Sequence, residues 1–294
     1  MDQAHSLREF MNQHNTQQQK NHWARIVTIT SGKGGVGKSN FTVNFALALQ
    51  EAGKKVIILD LDLSTANINI LMGTTPKYSL VDVLYQQKSI WEVMEKGTQG
   101  IEYISSGFQL QHLMTLDEAT LATFWGQIEV LQTHADFILL DTGAGISKEL
   151  VDFILASDET IIVSTPEPTS IADSYSVLKN VVRYSNKVTK FHLVVNRAQT
   201  YSEAVETSRA LKKACKNFLH IDLPTLGFLM EDVQVREAVK SQIPFYVSYP
   251  NCSASKNIKE IVHSYLPDYH QNSTVQTTGL RGFFEKILFF NKSR

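Results

Sequence analysis

A short glycine-rich segment near the start of the chain constrains the fold more than any other part of the sequence. It reads GKGGVGKS from Gly32 to Ser39 and fits the pattern G-x-x-x-x-G-K-[ST]. An apolar run at residues 25–30, predicted as a buried strand, precedes it, and a predicted helix at residues 41–49 follows it. In this setting, backbone N–H groups surround a phosphate at the helix N-terminus. The segment therefore predicts a nucleotide-binding α/β domain.

The side chains of this loop have predicted roles toward a nucleoside triphosphate. Lys38 places a positive charge on the phosphates, and the Ser39 hydroxyl is a ligand for Mg²⁺. The loop also carries a second lysine, Lys33, directly after its first glycine. The residues predicted to contact the nucleotide in this segment are Gly32, Lys33, Gly34, Gly35, Val36, Gly37, Lys38, Ser39 and Asn40.

Composition narrows the class of protein. The chain has 294 residues, of which 43% are hydrophobic and 19% charged, and its net charge is −1. These values suit one large α/β domain with terminal extensions and give no general reason to bind nucleic acid. The two cysteines, Cys215 and Cys252, lack metal-binding spacing. Residues 1–25 are polar and no apolar run has the length of a membrane span, so we expect a cytoplasmic protein.

Apolar runs that alternate with helical stretches predict the architecture. Predicted strands follow at residues 56–59, 137–140, 160–163 and 191–195, with further candidates at 100–104 and 226–229. Continuous apolar strands separated by helices are typical of a mostly parallel sheet with helices on both faces. The predicted domains are a polar N-terminal segment at 1–23, an ATPase domain at 24–267, a linker at 268–278 and an amphipathic helix at 279–294.

Polar residues stand at the carboxyl ends of these strands, where open parallel sheets bind ligands. Asp141 closes an apolar strand in the Walker B manner and is predicted to hold Mg²⁺ through water. Asp60 is predicted to lie near the same ion, and Asp62 to orient the attacking water. A loop cap or an ordinary surface charge is the alternative role for each carboxylate. The glycine-rich residues 142–145 are expected to sense the γ-phosphate as a switch.

The phosphate loop with its extra lysine resembles that of the deviant Walker A ATPases. Residues 24–267 are similar to the MinD/ParA group of the SIMIBI class, and the matching segments are KGGVGKS at 33–39, DLD at 60–62 with Asn67 behind it, DTGAG at 141–145 and VVNR at 194–197. The resemblance implies that Lys33 crosses a dimer interface to the partner's ATP and that Asp62 belongs to switch I.

The same resemblance implies that Asn196, followed by Arg197, reads the adenine amino group. It also implies that the segment at Glu167 approaches the nucleotide or partner across the dimer, with Asp173 among the partner contacts. One departure lies beside the expected base site. Residues 229–232 read LMED, where relatives often have IPED.

The C-terminal segment carries a helical apolar stripe of Leu280, Phe283, Phe284, Ile287 and Leu288. Arg281, Lys286, Lys292 and Arg294 against Glu285 give this segment a net charge of +3, from four positive charges and one negative. Such a helix is too short to span a bilayer but suits an anionic membrane interface, and two tails on a dimer would bind more tightly than one. The alternative is a helix docked on the protein's own core.

The N-terminal residues DQAHSLR, at positions 2–8, form a short amphipathic helix or a frayed end on physical grounds alone. They resemble the element D-Q-A-x-x-L-R that opens the FlhG family, also called YlxH or FleN. This resemblance implies an activator of FlhF, a signal-recognition-particle-type GTPase, with Gln3 reaching the composite GTP site and Leu7 and Arg8 anchoring the helix. It also implies contacts with flagellar C-ring proteins such as FliM/FliN or FliY.

Together with the motifs and the apolar tail, these resemblances imply a dimer-dependent ATPase that uses ATP, ADP and Mg²⁺. They also imply that it moves reversibly between cytoplasm and membrane to control flagellar number and placement. A division-site MinD would share the core and the tail, but not the N-terminal element. A DNA-segregating ParA would need a basic surface and no apolar tail. An iron–sulfur reductase would need cluster-ligating cysteines at a dimer interface.

Overall fold

An eight-stranded sheet forms the centre of the molecule, in the order β3-β4-β2-β5-β1-β6-β7-β8. It is seen in a computed structural model, which describes residues 23–62, 67–85, 87–107, 117–184 and 189–271, together with 280, 282–283 and 286–287. The strands are β1 Arg25–Thr30, β2 Val56–Asp60, β3 Glu95–Lys96, β4 Glu102–Ser105, β5 Phe137–Asp141, β6 Glu159–Ser164, β7 Lys190–Ala198 and β8 Thr225–Met230.

Helices connect the strands and cover both faces of the sheet. They are α1 Lys38–Glu51, α2 Asn67–Leu71, α3 Leu80–Leu84, α4 Ile90–Val93, α5 Glu118–His134, α6 Lys148–Ala156, α7 Pro168–Tyr184, α8 Tyr201–Ala214, α9 Val233–Ser241, α10 Phe245–Ser248 and α11 Ser253–Gln271. A π-helical turn, Cys215–Leu219, continues α8. Among the described helices, none combines the length and the apolar character needed to cross a membrane.

The pairing of the strands confirms the predicted sheet. All neighbours pair in parallel except β3, which runs antiparallel to β4 at the edge. Asp60 lies level with Asp141 across β2 and β5, and Asp141 lies level with Ile29 across β5 and β1. The parallel arrangement therefore brings the phosphate loop and the two aspartates to one edge of the sheet.

Alternate residues of each central strand enter cores on opposite faces. Ile58 lies in the core that α1 and α11 cover, whereas Ile57 and Leu59 lie in the core that α3 to α6 cover. A third cluster, around Ile162 and Leu193, fills the space under α7 and α8. Because both sides of these strands are buried, the strands show continuous apolar runs instead of alternation.

The described C-terminal residues are helical and pack on the domain itself. Leu280, Phe283 and Ile287 are at most 2% exposed and belong to the core beside α5 and α6. The Phe283 ring stacks on Phe153 of α6 with 6.0 Å between centroids. These three residues were predicted to contact a membrane, but in this structure they occupy the docked position considered as the alternative. The other two residues of the predicted stripe, Phe284 and Leu288, lie outside the described residues.

Two further predictions concern the ends of the chain. Helix α11 continues through Pro267 to Gln271, so it extends into the stretch predicted as a linker from residue 268. The N-terminal element with Gln3, Leu7 and Arg8 lies outside the described residues.

Candidate nucleotide-binding site

The phosphate loop connects the end of β1 to the start of α1, as predicted. Gly37 immediately precedes α1 and has φ 88°, a left-handed conformation that favours glycine. Gly32 is needed for another reason, because a Cβ atom there would lie 2.2 Å from the Asp173 carbonyl carbon of α7. The loop therefore turns sharply at one end and presses against a neighbouring helix at the other.

Helix α1 aims its N-terminus at the carboxyl edge of the sheet. Its first turn contains no acidic residue, and no side chain caps it. The first N–H groups of a helix have no partner within the helix, and they favour an anion. The helix is held in place along its length, with Phe41, Phe45 and Leu49 buried in the core. The loop thus presents a fixed set of N–H donors where a phosphate can bind.

Lys38 and Asp141 form a buried ion pair at the centre of the site. The Lys38 ammonium lies 2.9 Å from Oδ1 of Asp141 and 3.1 Å from the Ser39 hydroxyl. Thr42, one turn further along α1, donates to the same carboxylate oxygen at 2.8 Å. Oδ2 of Asp141 is buried and has no hydrogen-bond partner among the described residues. A buried carboxylate oxygen beside a serine hydroxyl fits a magnesium ligand.

Asp60 adds negative charge to this region. Its carboxylate accepts hydrogen bonds from the backbone N–H groups of Asp62 at 3.2 Å and Ile68 at 3.4 Å. Burial and the charge of Asp141 raise the pKa of Asp60 to about 7, against the weaker opposing effects of these hydrogen bonds and Lys38. A divalent cation would stabilise the ionised form of Asp60, which this crowding of carboxylates disfavours.

The acidic side chains do not form a complete metal site by themselves. Within the described part of the chain, no three histidine, cysteine or acidic side chains converge as a metal cluster. Mg²⁺ in nucleotide sites is commonly held by one or two protein ligands, waters and the substrate phosphates. Ser39, Asp141 and Asp60 therefore fit a magnesium ion that arrives with a nucleotide.

Asp62 lies between the end of β2 and the predicted switch loop. It is 9% exposed, and its Oδ1 lies 3.9 Å from the position that a Cβ atom on Gly143 would take. The switch loop itself contacts the phosphate loop, because the Gly145 N–H donates to the Ser31 carbonyl oxygen at 3.1 Å. The structure thus places Asp62 beside the switch loop, which in turn contacts the residue that precedes the phosphate loop. Asn67, predicted to belong to the same switch, begins α2.

Asn196 and Arg197 lie near the end of β7, on the side of the phosphate loop opposite Asp62 and the switch loop. The Asn196 amide donates to the Val36 carbonyl oxygen at 2.7 Å. Arg197 has φ 60°, an uncommon conformation outside glycine, and its guanidinium donates to Glu231 at 3.1 Å and to the Gly35 carbonyl oxygen at 3.4 Å. Both predicted residues therefore touch the loop and line the same cavity.

This cavity of about 400 Å³ opens between the phosphate loop, β8 and α9. Its volume lies within the range of small-molecule sites, and most of its surface is apolar. Besides the loop residues, the side chains around it include Phe41, Asn196, Arg197, Leu229, Met230, Glu231, Asp232, Val235, Arg236, Val239, Lys240 and Phe245. The apolar walls of this cavity suit the flat faces of a nucleotide base, whereas the charged phosphate loop suits the phosphates.

The LMED segment at residues 229–232 lacks the proline that the resemblance led us to expect, and backbone hydrogen bonds fix it in position. The Met230 N–H donates to Oδ1 of Asn257 at 3.2 Å, a bond that proline could not make. The Glu231 N–H donates to the Ala198 carbonyl oxygen at 2.8 Å, and Asp232 caps α9. The segment is therefore fixed by α11 and β7 at the cavity wall.

Lys33 points to α7 of its own chain in this structure. Its ammonium contacts the carboxylate of Glu167 and the hydroxyl of Thr169, the latter at 3.0 Å. Sequence reasoning placed Glu167 near a dimer contact but did not predict this pair. It also missed Thr42, and it did not predict the pairing of Glu231 with Arg197. The spacing of Thr42 from Lys38 by four residues was a signal, because such residues share one face of a helix.

Three curated relatives show what the chain is similar to. It is 35% identical to the "Antiactivator FleN" of Pseudomonas aeruginosa, over 82% of this chain and 85% of that protein. It is 31% identical to the "Septum site-determining protein MinD" of Helicobacter pylori, over 90% and 98%. It is 29% identical to the "Flagellum site-determining protein YlxH" of the same organism, over 90% of each chain.

A solved structure and a family model place the chain in the same group as these relatives. The solved structure of MinD with Mg-ADP from Pyrococcus horikoshii has a TM-score of 0.66 and 24% identity, and the match covers 86% of this chain and 99% of that one. A family model described as "ParA: NUBPL iron-transfer P-loop NTPase" matches residues 22–266. The chain belongs to the ParA family of P-loop NTPases, among the MinD/ParA-type ATPases of the FlhG (FleN/YlxH) group.

Proposed function

We propose that this protein is an ATP-hydrolysing switch that passes between a cytoplasmic monomer and a membrane-bound ATP dimer, and that it regulates flagellar number and placement. The observation that carries the ATPase part is the buried pair of Lys38 and Asp141 at the phosphate loop, with Asp60 beside it. Support for the flagellar role comes from the relatives named as a flagellar site determinant and as an antiactivator. The products of the reaction are ADP and phosphate.

Each residue of the site has a separate role in the proposed reaction. When ATP enters, Lys38 exchanges Asp141 for the β- and γ-phosphates, and the loop N–H groups bind the same oxygens. Ser39, Asp141 and Asp60 would hold Mg²⁺, which neutralises phosphate charge as the transition state develops. Asp62 orients the attacking water from its position beside the switch loop. Asn196 and the cavity next to it bind the adenine base.

A second copy of the chain completes the proposed site. Lys33 of each protomer would contact the other protomer's nucleotide and stabilise the negative charge that spreads over the transferred phosphoryl group. Hydrolysis would therefore depend on dimerisation. After hydrolysis the γ-phosphate contacts of the switch loop are lost, and the dimer separates.

The docked C-terminal helix supplies the proposed link to the membrane. Leu280, Phe283 and Ile287 of its apolar stripe cannot contact lipid while they are buried in the domain. Helix α6, which carries the stacked Phe153, begins three residues after the switch loop ends at Gly145. A change in the switch loop can therefore reach the docking surface through one rigid helix. Release of two tails per dimer would give membrane binding by avidity.

Other proposed contacts concern the flagellar partners. The N-terminal element with Gln3, Leu7 and Arg8 would stimulate FlhF, and C-ring proteins such as FliM/FliN or FliY would be further partners. A division-site role is the second candidate, because MinD of Helicobacter pylori covers 90% of the chain at 31% identity. DNA segregation has less support, because the net charge of the chain is −1. An interfacial iron–sulfur cluster has less support still, because Cys215 and Cys252 are both buried.

GTP hydrolysis by FlhF distinguishes the flagellar role from the division-site role. It is measured for FlhF alone, with a peptide of residues 1–20, and with the same peptide carrying Gln3→Ala. We expect the first peptide to stimulate hydrolysis and the second to fail. If neither the peptide nor the full chain stimulates FlhF, this part of the proposed function is wrong and the MinD-like role takes precedence.

A further inference from the structure

A second cavity, with a volume of about 390 Å³, lies at the C-terminal end of α1. Helix α1 has 14 residues, so about 20 Å separate this cavity from the phosphate loop at the other end of the helix. Leu47, Val247 and Pro250 form the apolar part of its wall. The volume is within the range of small-molecule sites, and the proposed function gives the cavity no role.

Hydrogen-bond acceptors make up much of the polar part of the wall. Oε1 of Gln50 is buried and has no hydrogen-bond partner within the described part of the chain. Nε2 of the same side chain donates to the Gln99 carbonyl oxygen at 2.9 Å, which fixes the direction of Oε1. Glu51, the next residue of α1, contributes a carboxylate. A buried acceptor without a partner costs free energy, so the cavity favours a ligand that donates hydrogen bonds.

The charge of the wall favours a cation. Hydrogen bonds from Tyr246 and Lys259 lower the pKa of Glu51, which is therefore ionised at neutral pH. The last turn of α1 contains no basic residue, so the negative end of the helix dipole adds to this charge. The Lys259 ammonium lies 3.1 Å from Oε1 of Glu51 and 5.3 Å from the centre of the Tyr246 ring. A cation of the chain itself thus already contacts both groups.

We propose that this cavity binds a guanidinium group, carried by a small molecule or by an arginine side chain of a partner. A guanidinium is planar and has five N–H donors, so it can bond a carboxylate and a neighbouring carbonyl oxygen together. Glu51 and Gln50 present these two acceptors from adjacent positions of α1. The Tyr246 side chain, which also lines the cavity, adds an aromatic ring of the kind on which guanidinium groups stack.

Helix α10 connects this cavity with the proposed nucleotide site. Phe245 lines the base cavity, whereas the next two residues, Tyr246 and Val247, line the second cavity. The Tyr246 N–H donates to Oδ1 of Asn44 at 2.9 Å, and the Asn44 amide donates to Oδ1 of Asn40, another residue of the base cavity, at 2.7 Å. A ligand that fixes α10 should therefore tighten nucleotide binding, and the nucleotide should tighten ligand binding by the same factor. This coupling rests on the proposed function.

Ligand-detected NMR titrations of the nucleotide-free chain test the site itself. The probe is butylguanidine, and butylamine, which has the same charge and the same alkyl chain, is the control ligand. We expect saturable binding of butylguanidine and several-fold weaker binding of butylamine, because an ammonium lacks the planar set of donors. A tripeptide with a central arginine and blocked ends separates the two sources. Tighter binding than butylguanidine identifies a partner's side chain, and weaker binding identifies a small molecule.

Two variants should weaken the binding of butylguanidine by about 3- to 10-fold each. Gln50→Met removes the unpaired acceptor, and Glu51→Gln removes the charge but keeps an acceptor for the Tyr246 hydroxyl. Glu92→Gln is the matched control. Glu92 is 50% exposed and pairs with Lys88 on α4, much as the 56% exposed Glu51 pairs with Lys259, so this variant should bind like the wild type.

Lys259→Met should have the opposite effect. It keeps the length of the side chain but removes the cation that competes for Glu51, so butylguanidine should bind about 2- to 5-fold more tightly. Damage to the fold would not produce such a gain. Weaker or unchanged binding in Lys259→Met would contradict the competition on which the assignment of Glu51 depends.

The dissociation constant of ADP, measured with and without saturating butylguanidine, tests the coupling, and we expect it to fall about 5-fold. An unchanged constant overturns the coupling through α10. The site is overturned if neither guanidinium probe binds the wild type saturably, if butylamine binds as tightly as butylguanidine, or if Glu51→Gln binds like the wild type. A chain that binds butylguanidine but not ADP contradicts the proposed function and leaves the guanidinium site standing.

Discussion

At the scale of single residues, the site holds one lysine and two buried carboxylates whose charges a nucleotide and a cation would neutralise. Lys38 lies on Asp141, and burial beside Asp141 brings the pKa of Asp60 to about 7. Phosphate binding would draw Lys38 away and leave both carboxylates to a divalent cation. Because Asp60 must be ionised to bind that cation, metal binding should release a proton near neutral pH.

Asp62 is predicted to serve hydrolysis without serving nucleotide binding. The Asp62→Ala variant should bind ATP as tightly as the wild type, because the phosphate loop and the cavity are unchanged. Its turnover should fall about 100-fold or more, as is common when a residue that handles the attacking group is removed. Steady-state ATPase assays and nucleotide titrations measure the two effects, and the variant should accumulate as an ATP dimer on vesicles. Normal turnover would disprove the role of Asp62.

Glu159 is buried at the amino ends of the parallel strands, opposite the nucleotide site, and is predicted to stabilise the fold through its ion pairs and hydrogen bonds. Burial alone would raise its pKa, but the hydrogen bond from His192, the charge of Arg25 and the hydrogen bond from Tyr265 outweigh burial and lower the pKa to about 2. The Arg25 and His192 nitrogens lie 3.4 Å and 3.2 Å from its oxygens. The ionised form therefore stabilises the folded chain above pH 4.5, and this contribution is lost as the pH falls toward 2.

The Glu159→Gln variant tests this network. At pH 7 it should lower the free energy of unfolding by roughly 3 kcal/mol, because the folded chain holds the pKa of this carboxyl at about 2, below its ordinary value of 4.5. Urea denaturation at pH 7 and at pH 3 measures the difference, which should shrink at the lower pH. A variant as stable as the wild type at both values would show that the carboxylate contributes nothing to stability.

Some of these site and network residues could be predicted from the sequence, and others could not. Asp60 and Asp141 were predictable because each ends a buried strand, and parallel strands bring their carboxyl ends together. The contact of Lys33 with Glu167 was not, because 134 residues separate the two and only the packing of Gly32 on α7 brings them together. The role of Glu159 was also hidden, since a single acidic residue before an apolar run gives no sign of its partners.

At the scale of secondary-structure elements, the proposed function makes the contact between the C-terminal helix and α6 decide whether the tail can bind lipid. Three apolar residues of the tail are buried in the domain, and Phe153 of α6 supplies a ring that stacks on one of them. An apolar stripe indicates which face of a helix must be covered, but not whether protein or membrane covers it. The docked state could therefore not be predicted from the stripe alone.

Weakening the docking surface should release the tail without changing the tail itself. The Phe153→Leu variant loses the stacked ring and should bind anionic vesicles more strongly than the wild type without ATP. Sedimentation with vesicles measures this binding. Phe191→Leu is the matched control, because Phe191 is buried in the separate core under α7 and α8. Equal sedimentation of Phe153→Leu and the wild type would show that docking does not limit membrane binding.

The boundaries of the elements show where sequence patterns were sufficient. The predicted strands at residues 25–30 and 56–59 match β1 and β2 to within one residue, because their apolar runs are continuous and the phosphate loop directly follows β1. The two-residue strand β3 was missed, since a pair of residues has no periodicity. Helix α11 continues through Pro267 to Gln271, although a linker was predicted from residue 268. The helix continues because packing in the core holds Tyr265 in place.

At the scale of the whole molecule, the parallel sheet separates two tasks. One edge gathers the phosphate loop, the acidic residues and Lys33, and the opposite edge holds the network around Glu159. The described residues of the C-terminal helix pack against α5 and α6. Helix α6 also follows the switch loop directly in the chain, so it connects that loop to the docked tail. In the proposed function this arrangement makes dimerisation, hydrolysis and membrane binding depend on one nucleotide.

The central claim is that ATP makes a dimer through Lys33 and that only this dimer binds membranes. The most direct measurement is the molecular mass of the full chain with Mg²⁺ and either ADP or a non-hydrolysable ATP analogue, followed by sedimentation of the same samples with anionic vesicles. We predict a monomer that stays in solution with ADP, and a dimer that sediments with the analogue. Lys33→Ala should bind the analogue but remain a soluble monomer. Equal mass and equal sedimentation with both nucleotides, or a Lys33→Ala chain that dimerises like the wild type, would contradict the account.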